Sequence, residues 1–168
     1  MGGIDLRRPC LISEHHDSSD FDCGEETHNY FLQKKAHEYQ LNNLSFTYVI
    51  AEQKRIIAYY SLAIGSVMNE QALFPVASAS SKKSMPVLQL NRLAVDKRNQ
   101  KQQIGTHILK DALSRACAIA QETGIRCLLV DAINEHAQNF YRQYNFEPWP
   151  IDNFRLYMLM KDVRKSLG

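Results

Sequence analysis

The stretch from Val87 to Leu113 constrains this chain more than any other. Val87-Leu88-Gln89-Leu90-Asn91-Arg92-Leu93-Ala94-Val95-Asp96 is apolar and partly alternating, so it reads as a strand. Lys97-Arg98-Asn99-Gln100-Lys101-Gln102-Gln103 is polar and basic, so it reads as a loop. Ile104, Ile108, Leu109, Ala112, Leu113, Ala116, Ile119 and Ala120 then form a helical stripe. Strand, basic loop and helix is a layout suited to phosphate. The helix N-terminus offers unpaired N–H groups and about half a positive charge. Lys97, Arg98 and Lys101 add charge in the loop.

The rest of the chain is consistent with one domain spanning residues 1–168. Apolar residues make up 45% of it, enough to build a core rather than leave the chain disordered. No run approaches the ~18 apolar residues of a membrane span. The segment Met1 to Arg8 has no apolar signal core, and Leu6 stands where a myristoylation signal wants Ser or Thr. Cys10, Cys23, Cys117 and Cys127 show neither metal-knuckle nor redox spacing, so a reduced, cytoplasmic protein is expected. Cys117 and Cys127 fall inside a helix and a strand, where they are expected to act as small buried hydrophobes. A net charge of +2 neither demands nor excludes a nucleic-acid partner. The basic clusters are Lys34-Lys35, Lys82-Lys83 and the loop.

Residues 1–22 carry His15-His16 and Asp17, Asp20 and Asp22, which read as a polar surface loop rather than a metal site; no metal is expected. Asp22 is the expected cap of a helix over 25–41, with Phe31, Leu32, Ala36 and Tyr39 inward. Residues 45–52 and 55–68 form a hairpin about Gln53-Lys54. Residues 69–86 form a long loop. After the central unit, Gly124 stops its helix, and 125–133 is a strand. Asn134 to Tyr144 is a short helix with 137, 140, 141 and 144 on one stripe. Asn145 to Pro148 is a turn, and 155–160 is the last strand.

That element order, with the loop Gln100-x-x-Gln103-Ile104-Gly105, resembles the GNAT acetyltransferases, whose loop follows Gln/Arg-x-x-Gly-x-Gly/Ala. Gln103 stands at the first glycine, and Lys101 at a position often glycine. The segment Asn134-x-x-Ala137-x-x-Phe140-Tyr141-x-x-x-Asn145-Phe146 resembles the family's second motif. Phe21-Asp22-Cys23-Gly24, Ala58-Tyr59-Tyr60-Ser61-Leu62 and Asn91-Arg92-Leu93-Ala94-Val95-Asp96 look more narrowly like the GNAT toxins of bacterial toxin–antitoxin modules. In those toxins Asn91 is usually glycine.

The resemblance implies an α+β fold, with a mixed, mainly antiparallel sheet flanked by helices. It implies acetyl-CoA as co-substrate, aminoacyl-tRNA as acceptor and a ribbon-helix-helix antitoxin as partner, and it leaves room for a homodimer. The alternatives are acetylation of a protein N-terminus or small amine, and a GNAT-like chain that only binds a partner. Backbone groups of Gln100, Lys101, Gln102, Gln103, Ile104, Gly105 and Thr106 would hold the pyrophosphate. Gln103 contributes its N–H if its φ is negative, and Lys101 adds a point charge. Leu93, Ala94 and Val95 would pair with the pantetheine arm and thioester. Asn134 would bond the same arm, cap its helix, or both. Tyr141 is the expected acid for the departing thiolate, against a purely packed aromatic. Arg92 faces the acceptor or a tRNA phosphate, or sits in a structural ion pair. The strand carries Gln89 and Asn91 but no carboxylate before Asp96. An α-amine, with a pKa near 7.7, needs a general base less than a lysine does.

Overall fold

The computed structural model describes residues 7–68 and 84–167. Seven strands form one sheet in the order β1-β2-β3-β4-β5-β7-β6. They are β1 (Cys10–Leu11), β2 (Phe46–Glu52), β3 (Arg55–Met68), β4 (Ser84–Val95), β5 (Cys127–Asp131), β6 (Glu147–Trp149) and β7 (Asp152–Leu159). The helices are α1 (Glu26–Tyr30), α2 (Ala36–Leu41), α3 (Ile104–Glu122), α4 (Glu135–Gln143) and α5 (Met160–Leu167). The pair β4/β5 is parallel; β1/β2, β2/β3, β5/β7 and β6/β7 are antiparallel. The mixed, mainly antiparallel sheet therefore stands as expected. Two compact units divide the chain.

The first unit holds Met1–Ala63 and Asn91–Ala112. Its hairpin turns at Gln53-Lys54, with Gln53 at φ 57°. Val49, Ile56 and Tyr59 pack with Ile12, Phe21, Phe31, Leu32, Ala36 and Ala94. The helix expected over 25–41 is α1 and α2 joined by a π stretch, Phe31–Lys35. Such a stretch shifts the inward face by one position; Phe31, Leu32 and Ala36 are nevertheless buried as expected, and Tyr39 partly so. The cap is a correction. Glu25 is the N-cap residue, with no side-chain cap bond. Asp22 lies too early in the chain, and its Oδ1 accepts from the Gly24 amide and from Asn29 Nδ2.

The second unit holds Ile64–Leu90 and Leu113–Gly168. Val67, Met85, Val87, Cys127, Leu129 and Trp149 form its core. Of the loop expected over 69–86, residues 69–83 lie outside the described residues, and 84–86 already belong to β4. Pro86 is tolerated because it stands near the strand's start. Of the turn expected over Asn145 to Pro148, the last two residues open β6, a three-residue strand on β7. Cys127 is fully buried, and burial pushes its thiol up to about 12. Cys117 is only half-buried, because it stands beside the inward stripe of α3 rather than on it.

Candidate active site

In the first unit, the end of β4 and the start of α3 carry most of the residues singled out above. Parallel pairing of β4 with β5 runs from Val87↔Cys127 to Leu90↔Val130 and stops there. Asn91–Val95 thus continue the strand without β5 as a ladder partner. Val95 is already engaged: its carbonyl accepts from Gln100 Nε2 at 2.9 Å, and the same amide donates to the Cys23 carbonyl at 3.1 Å. The Gln100 side chain is therefore a brace across the loop's base rather than a ligand-facing group.

The loop cations differ in the same way. Lys97 pairs with Asp22 at 3.4 Å, and Arg98 pairs with Asp20 at 3.2 Å and Asp96 at 2.9 Å. Of the three expected to meet phosphate, Lys101 alone has no ionic partner among the described residues. The reason is local geometry: Lys97 and Arg98 follow Asp96 directly, within reach of the acidic 20–22 segment. Asp96, which sequence reasoning passed over as a ligand, organises all of this. It is 1% exposed. Its Oδ1 accepts from the Arg98 amide and Nε, both at 2.9 Å; Oδ2 accepts from Arg98 Nη2 at 3.0 Å and the Asp22 amide at 3.1 Å. Burial alone would raise the carboxyl. The Arg98 and Asp22 hydrogen bonds and the Arg98 charge outweigh it and bring the pKa down to about 2.

Lys101 has φ 66° and Gln103 has φ 61°. The condition set for the Gln103 N–H, a negative φ, is therefore not met. The chain must reverse from strand to helix in a fixed number of residues, so these side chains adopt the left-handed backbone that glycine adopts freely. That costs about 1 kcal/mol or more each. The helix ladder of α3 begins with the His107 amide bonded to the Gln103 carbonyl at 3.1 Å. The amides of Ile104 and Gly105 lie ahead of it, with no hydrogen bond among the described residues. Gln102 and Gln103 are exposed, and Thr106 is half-buried. Unpaired amides at the start of a 19-residue helix, with Lys101 beside them, suit a pyrophosphate.

Arg92 makes no ion pair among the described residues. Its guanidinium lies over the Phe31 ring, 3.7 Å from the centroid. Tyr59, fully buried, donates its hydroxyl to the His28 carbonyl at 2.7 Å.

In the second unit, Asn134 caps α4: its Oδ1 accepts from the Ala137 amide at 2.9 Å. Tyr141, on the same helix, is 5% exposed. Its ring meets Phe140 at 5.3 Å and Phe146 at 5.5 Å, both edge to face. The hydroxyl has no hydrogen bond among the described residues. Burial pushes the phenol up, so it holds its proton throughout the physiological range. Gln89 is half-buried beside Gly65; a Cβ on that glycine would come within 2.7 Å of the Gln89 amide.

Among the described residues no three His, Cys, Asp or Glu side chains gather as for a metal, and no helix is long and apolar enough to cross a membrane. Lys82-Lys83 lie outside the described residues. Lys35 pairs with Glu38 at 3.7 Å.

A strand that outruns its parallel neighbour, a turn with open amides and a long helix together suit a phosphate-bearing co-substrate. The model of the acetyltransferase (GNAT) domain matches residues 43–148, and the chain belongs to the GNAT acetyltransferase family. A tRNA-acetylating toxin of Mycobacterium tuberculosis is 35% identical, over 95% of this chain and 96% of its own length. A probable toxin, TacT, of Sinorhizobium fredii is 25% identical, over 94% and 93%. Among solved structures, AtaTR bound with acetyl-CoA superposes at a TM-score of 0.81 and 27% identity, over 94% of this chain and 96% of that one.

Proposed function

We propose that this chain acetylates the α-amino group of aminoacyl-tRNA at the expense of acetyl-CoA, and so acts as a translation-blocking toxin restrained by a ribbon-helix-helix antitoxin. Such a substrate places it in the cytoplasm. The observation that carries this reading is the lack of a general base on β4. Gln89 and Asn91 are amides, and Asp96, the first carboxylate, is buried and bonded through both oxygens. An acceptor that is largely neutral at pH 7 therefore fits, and an α-amine is one. Similarity to a tRNA-acetylating toxin over nearly the whole chain supports the tRNA ester as the carrier of that amine.

When bound, acetyl-CoA supplies the thioester whose acyl carbon the amine attacks. The Ile104 and Gly105 amides and Lys101 bind its pyrophosphate. Backbone groups of Leu93 and Ala94 orient the pantetheine arm; the Val95 carbonyl is excluded from that task by Gln100. Asn134 keeps α4 capped, which holds Tyr141 in place. Tyr141 keeps a proton on its hydroxyl oxygen and gives it to the sulfur as the carbon–sulfur bond breaks. The amine's proton passes to water, and water returns a proton to the Tyr141 oxygen before the next turnover.

The test is incubation with labelled acetyl-CoA and a pool of charged tRNAs, then mass spectrometry of the released aminoacyl nucleosides. N-acetylated aminoacyl adenosine is expected. Label confined to protein N-termini, or acetyl-CoA binding without any transfer, would overturn the reading.

Relief of the loop's strain should be measurable. Gln103→Gly is expected to raise stability by about 1 kcal/mol, roughly 2–4 °C in Tm, and to tighten acetyl-CoA binding several-fold. Calorimetry showing equal or weaker binding would mean that the Gln103 side chain itself touches the ligand.

A further inference from the structure

We infer that Arg92 is the receptor for a phosphodiester at the 3′ end of the acceptor RNA, with Phe31 as its platform. This rests on the aminoacyl-tRNA reading. A guanidinium carries five N–H donors in a planar fork. At Arg92 none of them has a hydrogen-bond or ionic partner among the described residues, although the residue is half-buried. The guanidinium carbon sits over the Phe31 ring, 3.7 Å from its centroid, so the head group is held in place without using its N–H donors. Phe31 is itself fixed: it lies in the core and packs edge-on to Tyr39 and stacked with Tyr59.

The charges around the fork point the same way. His28 is held below its ordinary pKa by burial and then by Arg92, so it is neutral and adds no competing cation at pH 7. Glu25 acts on His28 in the opposite direction, and it is the smallest of the three influences. Tyr59 presents a neutral phenol, pushed up by burial.

Position along the strand selects the anion. β4 runs towards the phosphate loop, and Arg92 lies three residues before its end, roughly 10 Å back at ~3.3 Å per residue. The co-substrate's phosphates belong at the start of α3. An anion at Arg92 therefore lies towards the reacting end and comes with the acceptor. An aminoacyl ester on a 3′-terminal ribose brings a phosphodiester on the same nucleotide; a protein N-terminus brings none. Arg92 is thus a specificity determinant for the RNA-borne amine, and a bidentate one.

The experiment compares two acceptors with one amino acid in common: the charged tRNA and the amino acid's methyl ester, which has no phosphate. Arg92→Gln is expected to lower kcat/KM for the charged tRNA by at least tenfold more than for the methyl ester, mainly through KM. It should also reduce the slope of log affinity against log salt by about one. Arg92→Lys, which keeps charge but loses the fork, should fall between. Equal losses on both acceptors would make Arg92 a packing residue and overturn the inference. So would a parental KM for tRNA in Arg92→Gln. A parent protein that acetylates the methyl ester but no charged tRNA would instead remove the aminoacyl-tRNA reading itself.

Discussion

Tyr141→Phe is expected to slow acetyl transfer on the order of 10²-fold or more while leaving the fold untouched. The structure sharpens what untouched means. The hydroxyl has no hydrogen bond among the described residues, so removing it deletes no bond between them. A hydroxyl without a protein partner contributes little to stability, so its loss is close to neutral. The ring keeps its edge-to-face contacts with Phe140 and Phe146. The Tm should therefore stay level. Acetyl-CoA affinity, read by calorimetry, should also survive. This combination separates chemistry from packing, because a purely packed aromatic predicts the parent's turnover in a variant that melts like the parent. The pH profile adds a check. With the phenol pushed above its ordinary value, no ionisation of Tyr141 falls in the working range. The acidic limb of kcat/KM should then follow the acceptor's amine, near 7.7, in both parent and variant. A Phe variant that melts like the parent and turns over at the parent's rate would take Tyr141 out of the mechanism.

What could be read before the structure is what local periodicity encodes. The β2–β3 hairpin, α3 and α4 carry their own signals: alternation about Gln53-Lys54, the stripe from Ile104, and an Asn cap before an aromatic stripe. β1 has two residues and β6 three, too few for any period to show; they exist because β2 and β7 offer them edges. The π stretch Phe31–Lys35 left no mark for a similar reason, since widening one turn needs no special residue. The site was legible as far as its motifs reached. The open amides of Ile104 and Gly105 follow from a helix start. The positive φ of Lys101 and Gln103 does not, because the residues there favour the opposite sign. Long-range partners were invisible. Nothing near Arg92 in the chain announces Phe31, and Asp96 finds Asp22 across 74 residues.

Asp96→Asn is expected to lower stability by about 2–3 kcal/mol, roughly 5–10 °C in Tm, and to weaken acetyl-CoA binding with it. The amide is nearly isosteric, so the loss isolates charge and hydrogen-bond direction. Both carboxylate oxygens accept, four bonds in all. An amide nitrogen at either place would face a donor: the Asp22 amide and Arg98 Nη2 on one side, or the Arg98 amide and Nε on the other. The Arg98 guanidinium is about half exposed, which keeps the figure below that of a fully buried pair. The pH dependence has a definite sign. The folded-state pKa of about 2 lies below the ordinary 3.8, so the carboxylate's contribution is complete above about pH 4. It is lost as pH falls towards 2, and the Asn variant should lack that part of the acid transition. The effect on ligand follows from connectivity. Asp96 pins Arg98 and the 20–22 segment, and Gln100 ties the same base to Val95 and Cys23. Freeing one end of this brace lets the 97–103 loop sample backbones in which Lys101 and Gln103 leave their strained left-handed states, and the amides of Ile104 and Gly105 then lose their common direction. An Asn variant that melts with the parent, keeps its acid transition and binds acetyl-CoA as tightly would show that the loop holds its shape without Asp96.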